Sequence, residues 1–208
     1  DKQFFKDFKR RRLNEYFKWM EIQTSGIFLD TDYLVMLKNL GISTISLSVI
    51  DLWNDKNNHR IMETPDELQY NLENLCNKIT NEGFILRITI PMTDVLNKKE
   101  PEQIFNKVKN LGAKQLTLRN LHFSKRNTKQ DKWIEKHILN KDIKSYIINY
   151  STTKLQDFDY NQDIKAVDGL SVLIDRDCTG HKMSNKYLII REDGRCYHRW
   201  DKPESLLF

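Results

Sequence analysis

One stretch constrains this chain more than any other: residues 19–51, WMEIQTSGIFLDTDYLVMLKNLGISTISLSVID. Met20, Ile22 and Thr24 alternate with Glu21 and Gln23, the period-2 pattern of a strand. Gly26 follows as a strand-ending turn. Leu34, Leu37 and Leu40 recur at helical spacing, and Gly41 stops that helix. Ile45, Leu47 and Val49 then resume the alternation, with Ser46 and Ser48 on the other face. Two such strands joined by a helix form a βαβ unit, which is right-handed with parallel strands. Thr24, Ser25, Ser46 and Ser48 fall at the strands' carboxyl ends, where parallel-sheet proteins bind ligands.

The rhythm continues downstream. Thr64 as N-cap, Pro65 and Glu67 predict a helix start, with Leu68, Leu72, Leu75 and Ile79 on its inner face and Gly83 closing it. A strand is expected from Phe84 to Ile90, a helix from Pro101 to Leu111, and another strand in AKQLTLRNLH. Strands alternating with helices predict an α/β fold of parallel βα repeats. Thr24, Ser48, Arg87, Thr89, Thr117 and Arg119 put polar groups on these strands, whereas a sheet covered on both faces reads as nearly continuous apolar sequence. A curved sheet lining a cavity accounts for them; an open doubly wound sheet with satisfied buried hydroxyls is the alternative.

On either side of these repeats the pattern differs. Residues 2–18 read as a helix with an aromatic stripe interrupted by the run Lys9–Arg12. From Ser124 the rhythm breaks, giving an expected division at 1–123 and 124–208. The second part reads as one or two helices over residues 133–156, a strand from Leu170 to Ile174, and a β-hairpin whose Asp193-Gly194 suits a type I′ turn. The apolar tail Leu206, Leu207, Phe208 is expected to dock on the body. No apolar run reaches the roughly 18 residues of a membrane span, and the charged opening lacks a signal peptide's apolar core. Three cysteines without framework spacing suit a reducing, cytoplasmic setting. An opening at Asp1 rather than Met reads as a piece of a longer or processed polypeptide.

EIQTSG, GISTISLSVID, GFILRITIPMTD and LGAKQLTLRNLH, in this order and spacing, resemble the later half of a radical SAM domain, over about residues 17–122. The resemblance implies part of a (β/α)6 TIM-like partial barrel, followed here by a helical segment and hairpin. It implies S-adenosylmethionine as cofactor and 5′-deoxyadenosyl-radical chemistry on a small-molecule or peptide substrate. Thr24, Ser25, Ser46, Ser48, Arg87 and Thr89 would contact the cofactor, and Arg119 and His122 would face the substrate. The family's CxxxCxxC loop, which ligates a [4Fe-4S] cluster, and its GGE motif are absent. Three thiolates must converge to hold the cluster, so it is expected only if a preceding segment supplies them, and this chain alone is expected to be inactive. The chain is then a fragment of a longer enzyme or a relative that kept the cavity and lost the chemistry. In either case the first strand exposes an edge that the helix at 2–18, a partner chain or self-association would cover.

Three other constellations stand out. Cys178, His181, Cys196 and His198 are a candidate zinc set, though separate structural roles suit their spacing better. Arg87, Arg119 and His122 could converge on an anionic group, or an inner Arg could pair with an acid such as Asp94. Lys9–Arg12 and Lys125–Lys132 are basic runs that a nucleic-acid-binding module would use; the ordinary reading is a solvated face.

Overall fold

In the computed structural model the period-2 alternation becomes two chemically distinct faces of one sheet. The structure describes residues 2–121, 127–150, 153–158, 162–175, 189–191, 193–197 and 203–207. Strands β1 (Glu21–Thr24), β2 (Thr44–Ser48), β3 (Ile85–Pro91) and β4 (Gln115–Arg119) lie side by side in chain order, each parallel to the next. β7 (Leu170–Asp175) continues the parallel run beside β4. β6 (Gln162–Val167) and β5 (Thr153–Phe158) extend it antiparallel, completing seven strands in the order β1-β2-β3-β4-β7-β6-β5. The fold is mixed α/β with a mostly parallel sheet, of the partial-barrel kind expected.

Strand order decides where the helices go. Right-handed crossovers that always step to the next strand in the same direction keep every connecting helix on one face. A doubly wound sheet would reverse direction and cover both faces. Helix α2 (Thr31–Asn39) buries Leu34 and Leu37, α4 (Leu72–Asn81) buries Leu75, Cys76 and Ile79, and α5 (Pro101–Asn110) buries Ile104, Phe105 and Val108. These side chains form one cluster with Ile45, Leu47, Leu86, Ile88, Ile90, Leu116, Leu118 and Val172 from the sheet. Helix α7 (Ile143–Tyr150) joins the same layer through Ile143 and Ile147, with Tyr146 stacked on Phe105 at 5.5 Å. Burying each such aliphatic side chain contributes about 1.5–3 kcal/mol, so the helix-covered face is where the fold's stability concentrates.

Several elements differ from expectation for local reasons. The helix expected over 2–18 is α1 (Lys2–Arg10) followed by a 3-10 turn, Leu13–Tyr16, because Arg12 takes a left-handed conformation (φ 57°) and breaks the helix. Pro65 opens only a 3-10 turn, Asp66–Leu68; α4 begins instead after Asn71, whose side chain accepts the Asn74 amide. Helix α3 (Asp55–Ile61) forms in a stretch that reads as loop, since DKNNHRI has no apolar period; Asn54 caps it by accepting the Asn57 amide. Helix α6 (Lys129–His137) carries a reciprocal cap between Thr128 and Asp131. β5 takes residues 153–156 out of the expected helical segment, pairing them with β6, which is not evident in sequence, and the sheet crosses the expected 123/124 division because β7 seats on β4.

The C-terminal hairpin pairs β8 (Ile189–Ile190) with β9 (Cys196–Tyr197). Its turn is not the expected type I′. The Gly194 amide donates to the Arg191 carbonyl, and Gly194 is left-handed (φ 73°) while Asp193 is not, whereas type I′ needs both. The tail reaches back through the Leu207 amide, which donates to the Cys196 carbonyl, while Leu206 and Leu207 stay largely exposed. Phe208 lies outside the described residues. β1 ends the sheet, pairing with β2. The expected cover, α1, seats on α2 instead: Phe5 meets Tyr33 edge-on at 6.0 Å, and Lys2 lies 3.6 Å from Asp30.

Gly26 is the tightest joint. It holds φ +90°, and a Cβ there would sit 2.6 Å from Leu75 and 2.9 Å from Leu47, both buried in the core. Gly26→Ala therefore combines left-handed strain with overpacking, and it is expected to destabilise the fold by about 2–4 kcal/mol in urea denaturation.

Candidate functional site on the polar face of the sheet

The face opposite the helices is built from every second strand residue. The register sets Gln23, Ser46, Arg87, Gln115 and Ser171 in one row, and Ser48, Thr89, Thr117 and Leu173 in the next. β2 contributes only small side chains to this face, Thr44, Ser46 and Ser48. Long side chains on β1 and β3 can therefore meet above it. Arg87 Nη1 crosses over β2 to reach the Glu21 carboxylate at 2.6 and 2.7 Å, and Arg87 Nε donates to Gln115 Oε1 at 2.8 Å. Beneath this span Ser46 and Thr89 are only 2% and 5% exposed, and their hydroxyls bond each other at 2.9 Å. Ser48 sits half-buried at the carboxyl end of β2.

A second contact reports curvature. Arg119 Nη2 on β4 donates to Gln23 Oε1 on β1 at 3.3 Å. Neighbouring strands lie about 4.8 Å apart, and Arg119 stands four residues beyond Gln115, which is in register with Gln23, so on a flat sheet these two would stand about 20 Å apart with side chains parallel. Contact across two intervening strands requires the face to be concave. The concave face thus holds carboxylate, guanidinium, amide and hydroxyl groups of both polarities.

The expected site residues divide accordingly. Ser46, Ser48, Arg87, Thr89 and Arg119 share the concave face. Thr24 does not: it pairs with Leu47 in the register and so belongs to the helix-side parity, where its Oγ1 accepts the Gly26 amide at 3.1 Å and shapes the turn. Ser25 lies in that same turn, its carbonyl accepting the Tyr70 hydroxyl. His122 lies outside the described residues. The acid that pairs with Arg87 is Glu21, not Asp94; Asp94 follows β3 at the rim and meets His137 Nδ1 at 3.2 Å. Glu21, Gln23 and Gln115 were missed as site residues, although their strand parity with Ser46 and Arg87 marks them.

The rim beyond β2 is rigidly built. Asn58 Oδ1 accepts the amides of Ile50 and Asp51, while Asp51 Oδ1 accepts those of Trp53 and Asn54. These two buried side chains take over where the backbone ladder ends, with the Val49 amide donating to the Thr89 carbonyl.

Among the described residues, metal ligation has little to draw on. Cys76 is buried among the α4 core residues, and burial pushes its thiol up to about 12. Cys196 is buried in the hairpin and its thiol is also pushed up by burial. Cys178, His181 and His198 lie outside the described residues. Among the described residues no three His, Cys, Asp or Glu side chains converge to hold a metal. No helix among them is long and apolar enough to cross a membrane.

No family model matches the chain, and no curated protein does. Solved structures with some likeness include SuiB of Streptococcus suis: 18% identity and a TM-score of 0.41, covering 70% of this chain and 40% of that one. SuiB bound to S-adenosylmethionine gives 15% identity and 0.38, covering 70% and 39%. SuiB bound to the precursor peptide SuiA gives 13% and 0.36, covering 74% and 46%. The chain spans less than half the length of these proteins.

Two tests follow from this geometry. A double-mutant cycle of Glu21→Gln and Arg87→Gln is expected to show a coupling of about 1 kcal/mol in chemical denaturation, since both side chains are about three-quarters buried. Burial also pushes Tyr70 up to about 12. The unfolded chain releases the Cys76 and Tyr70 protons at ordinary thiol and phenol values, whereas the folded chain holds them until about 12. Their contribution is therefore present at neutral pH and lost as pH rises towards about 12. The urea midpoint should fall over that range, and less so in Cys76→Ala.

Proposed function

We propose that this chain contributes the cofactor and substrate cavity of a radical S-adenosylmethionine enzyme, as the later βα units of its partial barrel. The observation that carries the reading is the concave polar face, with Arg119 reaching Gln23 across it and helices α2, α4, α5 and α7 packed on the other side. A singly wound sheet with a hydrophilic hollow is what the sequence resemblance implies. Ser46, Ser48, Arg87 and Thr89 would line the cofactor side, and Arg119 the substrate side. Thr24 shapes the turn after β1 rather than touching the cofactor, and Ser25 borders the rim.

The residues present fit an amino-acid-bearing cofactor. Glu21 offers a partner for an ammonium group, Arg87 and Arg119 offer partners for a carboxylate, and the Ser48 hydroxyl is half-buried at the carboxyl end of β2. When bound, S-adenosylmethionine supplies hydrogen-abstracting chemistry once an iron–sulfur cluster reduces it. The cluster itself does not fit the described cysteines: Cys76 and Cys196 are buried in different elements with raised thiol values. Its ligands would come from a segment preceding these units, which would also cover the edge of β1. This chain's share is then to orient the cofactor's polar groups and exclude water around the reacting carbon. The substrate is a small molecule or a peptide, and the setting a reducing cytoplasm.

Equilibrium dialysis with S-adenosylmethionine tests this directly. Saturable binding is expected, weakened about tenfold by Ser48→Val, the loss of one hydrogen bond to a charged or polar partner. The same chain supplied with iron, sulfide and dithionite should release no 5′-deoxyadenosine. A folded chain that binds no S-adenosylmethionine at millimolar concentration overturns the reading.

A further inference from the structure

The strongest surface feature outside the concave face is its N-terminal segment. Residues 2–19 hold seven Lys/Arg against Asp7 and Glu15, a surplus of five that equals the formal +5 of the whole chain. The remaining residues therefore balance, and the chain's net positive charge is concentrated here. On α1, Phe5 and Phe8 pack against the core while Lys6, Lys9 and Arg10 are exposed. Arg10 and Arg12 pair with Asp7 and Glu15, and Lys2 with Asp30. Among the described residues no ion pair engages Lys6, Lys9, Arg11 or Lys18.

The second observation is aromatic. The left-handed turn at Arg12 folds the following residues back, and Phe17 stacks on Phe8 at 6.4 Å. That leaves Tyr16 80% and Trp19 74% exposed beside the basic helix, with Lys18 Nζ 5.8 Å from the Trp19 ring centre. Two large rings thus stand in water next to four cations that no ion pair engages among the described residues.

We propose that α1 and the turn after it form a binding surface for single-stranded nucleic acid, with Lys6, Lys9, Arg11 and Lys18 on phosphates and Tyr16 and Trp19 stacking on bases. Cations that track the backbone beside rings that accept any base are the recurring chemistry of such sites. An anionic membrane is disfavoured by the same geometry. A helix lying in a bilayer interface must present its apolar stripe outward, and here that stripe is packed against Tyr33 of α2 and Phe17. The surface lies on the helix side of the sheet and is independent of any cofactor in the concave face.

Fluorescence anisotropy of a labelled uridine dodecamer, titrated with the chain at several salt concentrations, tests the proposal. Four phosphate contacts on a single strand predict a log–log salt slope of about −3. Binding should quench tryptophan emission, Trp19→Ala should weaken affinity at least about fivefold, and Lys9→Ala with Arg11→Ala should flatten the slope by about 1.4. Circular dichroism checks that each variant folds, and the slope and the quench are read on the unaltered chain in any case. Absence of binding at about 50 mM salt overturns the proposal, as does an affinity indifferent to Trp19. Capture by phosphatidylserine vesicles without oligonucleotide binding overturns it in favour of a membrane surface.

Discussion

The constraint on which the structure depends is directional. β1 to β4 are added in one direction, each by a right-handed crossover, and that places α2, α4 and α5 on one face. The apolar strand residues of the core point that way, and the opposite face of β1 to β4 is left mostly polar. The parity of a strand residue thus decides whether it joins Ile45, Leu47 and Ile88 in the core or Ser46, Arg87 and Thr89 in the hollow. A one-residue slip in β2 would exchange these sets, burying serines under the helices and exposing leucines.

The concave face is held by reach. Because β2 offers Thr44, Ser46 and Ser48, Arg87 can span it to Glu21, and the buried Ser46–Thr89 pair satisfies its own hydroxyls below. A bulky residue at 46 would block the span and strand Arg87 and Glu21 as separate, half-buried charges. A ligand that took the Arg87 guanidinium would have to compete with Glu21 and Gln115.

Much of this was legible. The parallel βα order, the ends of α5 and β7, and the polar character of the inner face all follow from periodicity, capping and punctuation. The placement of Thr24 was legible too: it alternates with Glu21 and Gln23 and so shares parity with Ile22, on the helix side. Strand-end hydroxyls draw attention by residue type, but parity decides the face. Helix α3 and strands β5 and β6 were hidden because DKNNHRI, TKLQDF and QDIKAV have little apolar alternation; they form because Asn54 caps the first and β7 templates the others.

The amino-acid sequence by itself determined which residues form strands and helices in the repeating part, and that one sheet face would be polar, because alternation and turn chemistry are local. Only the tertiary structure decided that Arg87 meets Glu21 rather than Asp94, that Arg119 meets Gln23, and that Tyr16 and Trp19 stand out beside a basic helix. Those pairings join residues tens of positions apart, and which long side chains meet depends on strand order, sheet curvature and the size of the residues between them, none of which a local pattern carries.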